Sequence, residues 1–233
     1  FVMLQQEIDS LAPSRDFSRR GFVKTAVGSG FAAAVLPVTA QTIKTDSEGL
    51  TVGEVMIPVG DFKMPAYRAQ PAGKTGLPVV LVVSEIFGVH EHIADVARRF
   101  AKLGYMAIAP ELFVRQGDAQ SYGEIAKLVS EVIAKVPDKQ VMGDLDAAVA
   151  WAKANGGDTS KLGITGFCWG GRTTWMYAAH NAAVKAAVPW YGPVARSYFP
   201  GDKPALDMAA NVKAAVLALY GGADPGIPND TVE

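Results

Sequence analysis

The sequence is poor in the residues that metal sites and covalent cross-links depend on. One cysteine and three histidines stand among 233 residues, so an intramolecular disulfide cannot form and a zinc cluster lacks ligands. A charge excess is missing too: 22 Lys and Arg against 23 Asp and Glu leave a formal net charge of -1, which offers no footprint for nucleic acid. Residues 50–233 contain no internal repeat, low-complexity tract or Gly/Ser linker. The 49% hydrophobic content is material for one sizeable core, and that span reads as a single domain. No metal or cofactor is expected.

The N-terminal region is of another kind. Ser18, Arg19, Arg20, Gly21, Phe22, Val23 and Lys24 precede a mildly apolar run at 25–36, then Pro37, Val38, Thr39 and Ala40. Paired arginines before a run too short and too weak to span a bilayer, closed by small residues suited to cleavage, read as a twin-arginine export signal. The expectation is a periplasmic protein that meets the twin-arginine translocase during export and loses residues 1–40. The chain begins at Phe1 and stops at Glu233 inside a polar, turn-like segment, which reads as an incomplete C-terminus.

From residue 50 the pattern becomes structural. Alternation at 51–58 and 63–70 predicts an antiparallel hairpin. Continuous apolar runs at 79–83, 105–109, 162–165, 184–189 and 212–220 predict buried parallel strands. Helical periodicity falls at 92–103, 119–136 and 138–155, with a short helix expected within 191–211. Strands alternating with helices imply an α/β fold, a mostly parallel sheet covered on both faces. In such sheets ligands bind beyond the carboxyl ends of the strands.

Gly166, Phe167, Cys168, Trp169 and Gly170 carry the most information. A strand-like run precedes them and a helix-like segment at 172–183 follows, so the lone thiol falls at a sharp turn between the two. Glycines on either side permit a strained backbone and a close approach of strand and helix. Amides of the first helical turn favour negative charge, lowering a thiol pKa and supporting a developing oxyanion. A lone cysteine in an apolar segment is commonly inert core, but an inert residue would need neither the flanking glycines nor Gly171. The other strand ends supply Ser84, Glu85, Ile86, Phe87 and Gly88, then Pro110 to Arg115, and finally Gly221, Gly222, Ala223 and Asp224.

The combination of Glu85-Ile86-Phe87-Gly88 with Gly166-Phe167-Cys168-Trp169-Gly170-Gly171 resembles the dienelactone hydrolase family of the α/β-hydrolase fold, over essentially all of residues 50–233. The resemblance implies Cys168 as nucleophile, Glu85 as the carboxylate that takes its proton, and Asp224 as the triad acid. It implies the backbone amides of Ile86 and Trp169 as oxyanion hole, and Arg115 as the holder of a substrate carboxylate. The implied substrate is a small lactone or activated ester, carboxylated where Arg115 is used.

One part is missing. An elbow triad runs nucleophile, acid, histidine, yet no histidine follows Asp224. His180 lies twelve residues beyond Cys168, about 18 Å along a helix. His90 and His92 follow the Glu85 loop and are weaker candidates for a base or pocket lining. A truncated chain that is inactive or weak accounts for the gap. Two alternatives stay open: a non-catalytic exported protein that binds small acids in the same fold, and a redox-active thiol, which lacks a resolving cysteine.

Overall fold

The computed structural model describes residues 44–233, so the export signal and cleavage site expected at 1–40 lie outside the described residues. The chain opens with an antiparallel hairpin of β1 (Leu50–Val59) and β2 (Phe62–Pro71), paired from Leu50 with Pro71 to Val59 with Phe62. The turn closes at Gly60, whose φ of 57° is available to glycine without strain. There follow β3 (Leu77–Val83), α1 (Glu91–Lys102), β4 (Met106–Pro110), α2 (Ile125–Glu131), α3 (Asp138–Ala154), β5 (Gly157–Phe167), α4 (Trp169–His180), β6 (Val184–Trp190) and β7 (Ala215–Val216).

These strands form one seven-stranded sheet in the order β1-β2-β4-β3-β5-β6-β7. From β4 to β7 the neighbours are parallel, and only β2 runs against the other strands. This is the α/β-hydrolase architecture expected from the sequence. Central β3 is sealed, with Val79, Leu81, Val82 and Val83 each 0% exposed, as an apolar run flanked by parallel strands requires. On one face Val80, Val82, Ala107 and Ala109 meet Ile93, Ala94, Ala97 and Ala101 of α1. On the other, Val79, Leu81, Val83 and Ile108 meet Leu145, Ala148 and Ala152 of α3 and Tyr177 of α4. Alanine along the buried stripe of α1 lets that helix lie close to the sheet.

Two stretches depart from the expected elements. Residues 119–136 break into a 3-10 turn at Ala119–Ser121, seven-residue α2 and a second 3-10 turn at Ile133–Lys135. Gly123 separates the first two, and Val132 leaves helical geometry at ψ -65° with φ -120°, next to a second β-branched residue of low helix propensity. The strand expected over 212–220 has two ladder residues, followed by an isolated bridge between Trp190 and Leu219. Leu217 N–H still donates to Ala187 O and Leu219 N–H to Pro189 O, each at 3.0 Å. Pro189 has no N–H to return to Leu217 O, whereas Tyr191 N–H does donate back to Leu219 O.

Strand order places the site. The chain leaves β3 toward β4 on one side and later lays β5 on the other, so the crevice opens at the ends of β3 and β5. Val83 pairs with Gly166, and Glu85 and Cys168 each follow two residues later. Phe167 pairs with Trp190, which sets Tyr191 beside Cys168.

Candidate active site

Cys168 stands between β5 and α4 with φ 54° and ψ -115°, a conformation that an L side chain adopts only under strain. Its N–H donates to Trp190 O at 3.0 Å, and its carbonyl accepts the N–H of Arg172 at 3.1 Å. The flanking glycines are required by contact. A Cβ on Gly166 would sit on Gly170 O, one on Gly170 would meet Val83 O and Ser84 O, and one on Gly171 would meet Trp190 O. The sharp turn expected from sequence is therefore built, with β3, β5, α4 and the end of β6 touching backbone to backbone.

The resting thiol is protonated. Burial pushes the Cys168 pKa up to about 11. The Trp169 N–H and Arg196 pull it down, but the charges of Glu85 and Asp224 push further up. The expected lowering by helical amides is thus real in sign and outweighed by desolvation. Part of Cys168 reaches the surface, while its sulfur is withdrawn enough for burial to dominate.

Glu85 is 3% exposed. Burial by itself would raise its carboxyl, but the hydrogen bond and charge of His90, its own backbone N–H and the charge of His92 hold it below the usual carboxylate range. His90 Nε2 lies 2.9 Å from Glu85 Oε2. His92 stacks on His90 at 6.2 Å and meets the ring of Phe167 at 5.7 Å. Burial lowers its pKa. Ile86 and Trp169, whose amides were expected to form the oxyanion hole, are both buried. The Trp169 ring packs edge to face on Phe113 at 4.7 Å.

Arg115 is already engaged. Its Nη1 and Nη2 donate to Asp144 Oδ2 and Oδ1 at 2.6 and 2.8 Å, and its guanidinium lies 4.3 Å over the Phe62 ring. The Asp144 side chain is 1% exposed, and burial raises its carboxyl against the pull of Arg115. Asp224 closes a turn by accepting from Gly226 N–H at 2.7 Å, with its own N–H donating to Gly221 O. None of the histidines is paired with it: His90 holds Glu85 and His180 lies 2.8 Å from Asp146.

Two residues around the site carried no motif. Tyr191 has a positive φ of 39° and donates its N–H to Leu219 O. Burial raises its phenol, followed by the charges of Glu85 and Cys168. Arg172 is 1% exposed. It grips both oxygens of Asp138 at 2.7 Å and donates to the carbonyls of Arg196 and Lys203. That fastens the loop after β6 to the first turn of α4. Position two residues beyond an apolar run was the available signal for Tyr191. For Arg172 there was none, because its partners are distant in sequence.

Comparison with known proteins agrees with this geometry. The dienelactone hydrolase family model matches residues 64–233. The "Putative carboxymethylenebutenolidase" of Methylorubrum extorquens is 58% identical over 235 residues, 97% of this chain and 79% of that protein. The crystal structure of a putative dienelactone hydrolase from Klebsiella pneumoniae is 52% identical, with a TM-score of 0.75 over 78% of this chain and 77% of that one. A dienelactone hydrolase-like promiscuous phosphotriesterase, P91 from metagenomic libraries, superposes with a TM-score of 0.64 at 28% identity, over 79% and 74% of the two chains. With a thiol at a glycine-enforced elbow, a buried glutamate on the neighbouring strand end and a family match across most of its length, this chain belongs to the dienelactone hydrolase family.

Proposed function

We propose that this protein is a thiol-dependent hydrolase that opens lactones or cleaves activated esters, with Cys168 as nucleophile. The observation that carries the reading is the strained backbone of Cys168, φ 54°, enforced by three glycine contacts and aimed at the crevice that Glu85 shares. Strain of this kind persists where the surroundings over-determine it, and an inert thiol would relax.

In this reading Glu85 takes the Sγ–H proton, and the thiolate attacks the carbonyl carbon. The oxyanion rests on the N–H groups of Ile86 and Trp169, donors fixed before the charge appears. Collapse expels the ring or ester oxygen, which takes up a proton, and leaves a thioester on Cys168. Water then attacks the thioester and the thiol is restored. Asp224 orients the histidine of this second step, which is none of the three in the sequence. A substrate carboxylate reaches Arg115 by exchanging with Asp144. Export through the twin-arginine translocase to the periplasm belongs to the same proposal and is tested by a reporter fused to residues 1–40, with Arg19 and Arg20 changed to lysine as control.

A chromogenic activated ester tests the chemistry. The 233-residue chain should release one leaving group per Cys168 in a burst and then turn over slowly, with an acyl adduct on Cys168 by mass spectrometry. Rapid steady turnover without a burst would remove the missing-histidine part. Absence of any adduct would favour the non-catalytic, small-acid-binding reading, for which a thiol held protonated by burial is the supporting observation.

A further inference from the structure

Arg98, Arg99, Arg115 and Arg172 each hold a carboxylate, and Arg68 donates to Gln70 on its own strand. Arg196 differs. Among the described residues it has no ion pair; it is exposed, and its guanidinium lies 5.7 Å over the Tyr198 ring. The backbone that carries it is fixed to the elbow. Trp190 O accepts the Cys168 N–H at 3.0 Å, and Leu206 N–H donates to Val194 O at 3.0 Å. A Cβ on Gly192 would meet Arg172 N and the Gly171 backbone. The Arg196 carbonyl accepts from the buried Arg172 Nε at 3.0 Å. Residues 190–196 therefore run along the first turn of α4, the helix that begins beside the thiol.

Arg115 stands in contrast on two counts. Its guanidinium lies over Phe62, the first residue of β2, and β4 and β3 separate β2 from β5 in the sheet. Arg196 follows β6, the direct neighbour of β5. Arg115 is also bonded through two nitrogens to Asp144, whose side chain is 1% exposed. A substrate carboxylate must displace that partner and leave its charge buried and unpaired, which is costly. At Arg196 nothing has to be displaced. Charge points the same way: burial dominates the Cys168 pKa, but Glu85 and Asp224 add negative charge at the sulfur, and Arg196 is the cation that opposes them. An anionic group entering this crevice is repelled by the two carboxylates and attracted to the β6 side.

We propose that Arg196 is a specificity-determining residue: it binds a carboxylate carried by an ester whose carbonyl lies at Cys168, and Arg115 makes the smaller contribution. The inference rests on the crevice at Cys168 being where the ester binds. A guanidinium offers two N–H groups side by side, a fork that matches both oxygens of a carboxylate. The Tyr198 ring beneath it limits the side chain's swing at little cost to its donors.

Two esters that differ by one charge test this without turnover. Monomethyl glutarate carries an ester and a carboxylate, dimethyl glutarate two esters. Cys168→Ala leaves no thiol to react, so dissociation constants for both can be read by ligand-observed NMR at neutral pH and low salt. In that background the monoester should bind more tightly than the diester. Adding Arg196→Gln should cut this preference about tenfold, the scale of a lost charge-assisted hydrogen bond. Arg196→Lys keeps the charge without the fork and should fall between the two. Added salt should erode the preference in the parent background and have less effect with Arg196→Gln. Arg115→Gln should change it by less than about threefold, since its partner Asp144 already occupies the fork. If Arg115→Gln does not fold, as judged by circular dichroism, Arg115→Lys takes its place with the same expectation. No preference for the monoester, or one unchanged by Arg196→Gln, overturns the assignment. Equal weakening of both esters would reduce Arg196 to a loop support, and a larger loss in the Arg115 variant would move the anion to the β4 side. Failure of the Cys168 protein to form an acyl adduct would sink the nucleophile reading instead, and leave the affinity ratio legible.

Discussion

The two shoulders of Cys168 are held by different side chains. On the β3 side the buried partner of Glu85 is the His90 imidazole, joined to it by a single hydrogen bond at 2.9 Å. On the β6 side it is the Arg172 guanidinium, permanently charged, doubly bonded to Asp138 and tied to the Arg196 and Lys203 carbonyls. The first shoulder rests on one side-chain contact and the second on four.

The sharpest attack on that comparison removes the residue where the shoulders meet. Cys168→Ala should lower hydrolysis of an activated ester by at least about 10³-fold, as nucleophile removal does in acyl-transfer enzymes, with little change in thermal midpoint. Activity indifferent to the change would leave the two shoulders framing nothing.

Arg172→Met separates the two shoulders. Taking one partner from a buried, hydrogen-bonded ion pair costs about 3 kcal/mol or more, read by urea unfolding. His90→Gln should cost under about 1 kcal/mol, since it retains a donor. Equal losses would erase the contrast. Gly170→Ala probes the joint between strand and helix: its Cβ would meet Val83 O and Ser84 O. Overpacking against backbone should destabilise by about 1–3 kcal/mol and reduce acylation together with stability.

The smallest effect is in acid. The Glu85 carboxyl in the folded protein titrates below its ordinary 4.5. Its contribution to stability is therefore complete above that value and disappears as pH falls through the lower, folded one. Thermal midpoints should drop on acidification below about pH 4.5, and Glu85→Gln should make the drop shallower. A midpoint as steep in the variant as in the parent would show that Glu85 is not the group being protonated.

How much of this was legible depended on distance along the chain. The hairpin, the central strands and the elbow are local patterns, and each formed within a few residues of its expected limits. The strand over 212–220 was shortened by Pro189, a residue of its neighbour. The 119–136 helix broke where glycine and paired β-branched residues outweighed an apolar stripe. Arg115 stands in the turn after β4 as expected, yet its partner Asp144 lies 29 residues away on α3. No spacing rule announces such a partner.

By itself, then, the sequence determined the order of strands and helices, the turn that carries Cys168 and the placement of Glu85 and Asp224 at strand ends, because periodicity and glycine geometry act over a few bonds. The tertiary structure alone decided the ionisation and company of those groups. Burial drives the thiol up, the register of β3 against β5 brings Glu85 alongside, and the loop behind Gly88 delivers His90 to the carboxylate. Desolvation and charge depend on what surrounds an atom from every side, and those surroundings come into being only when distant segments pack.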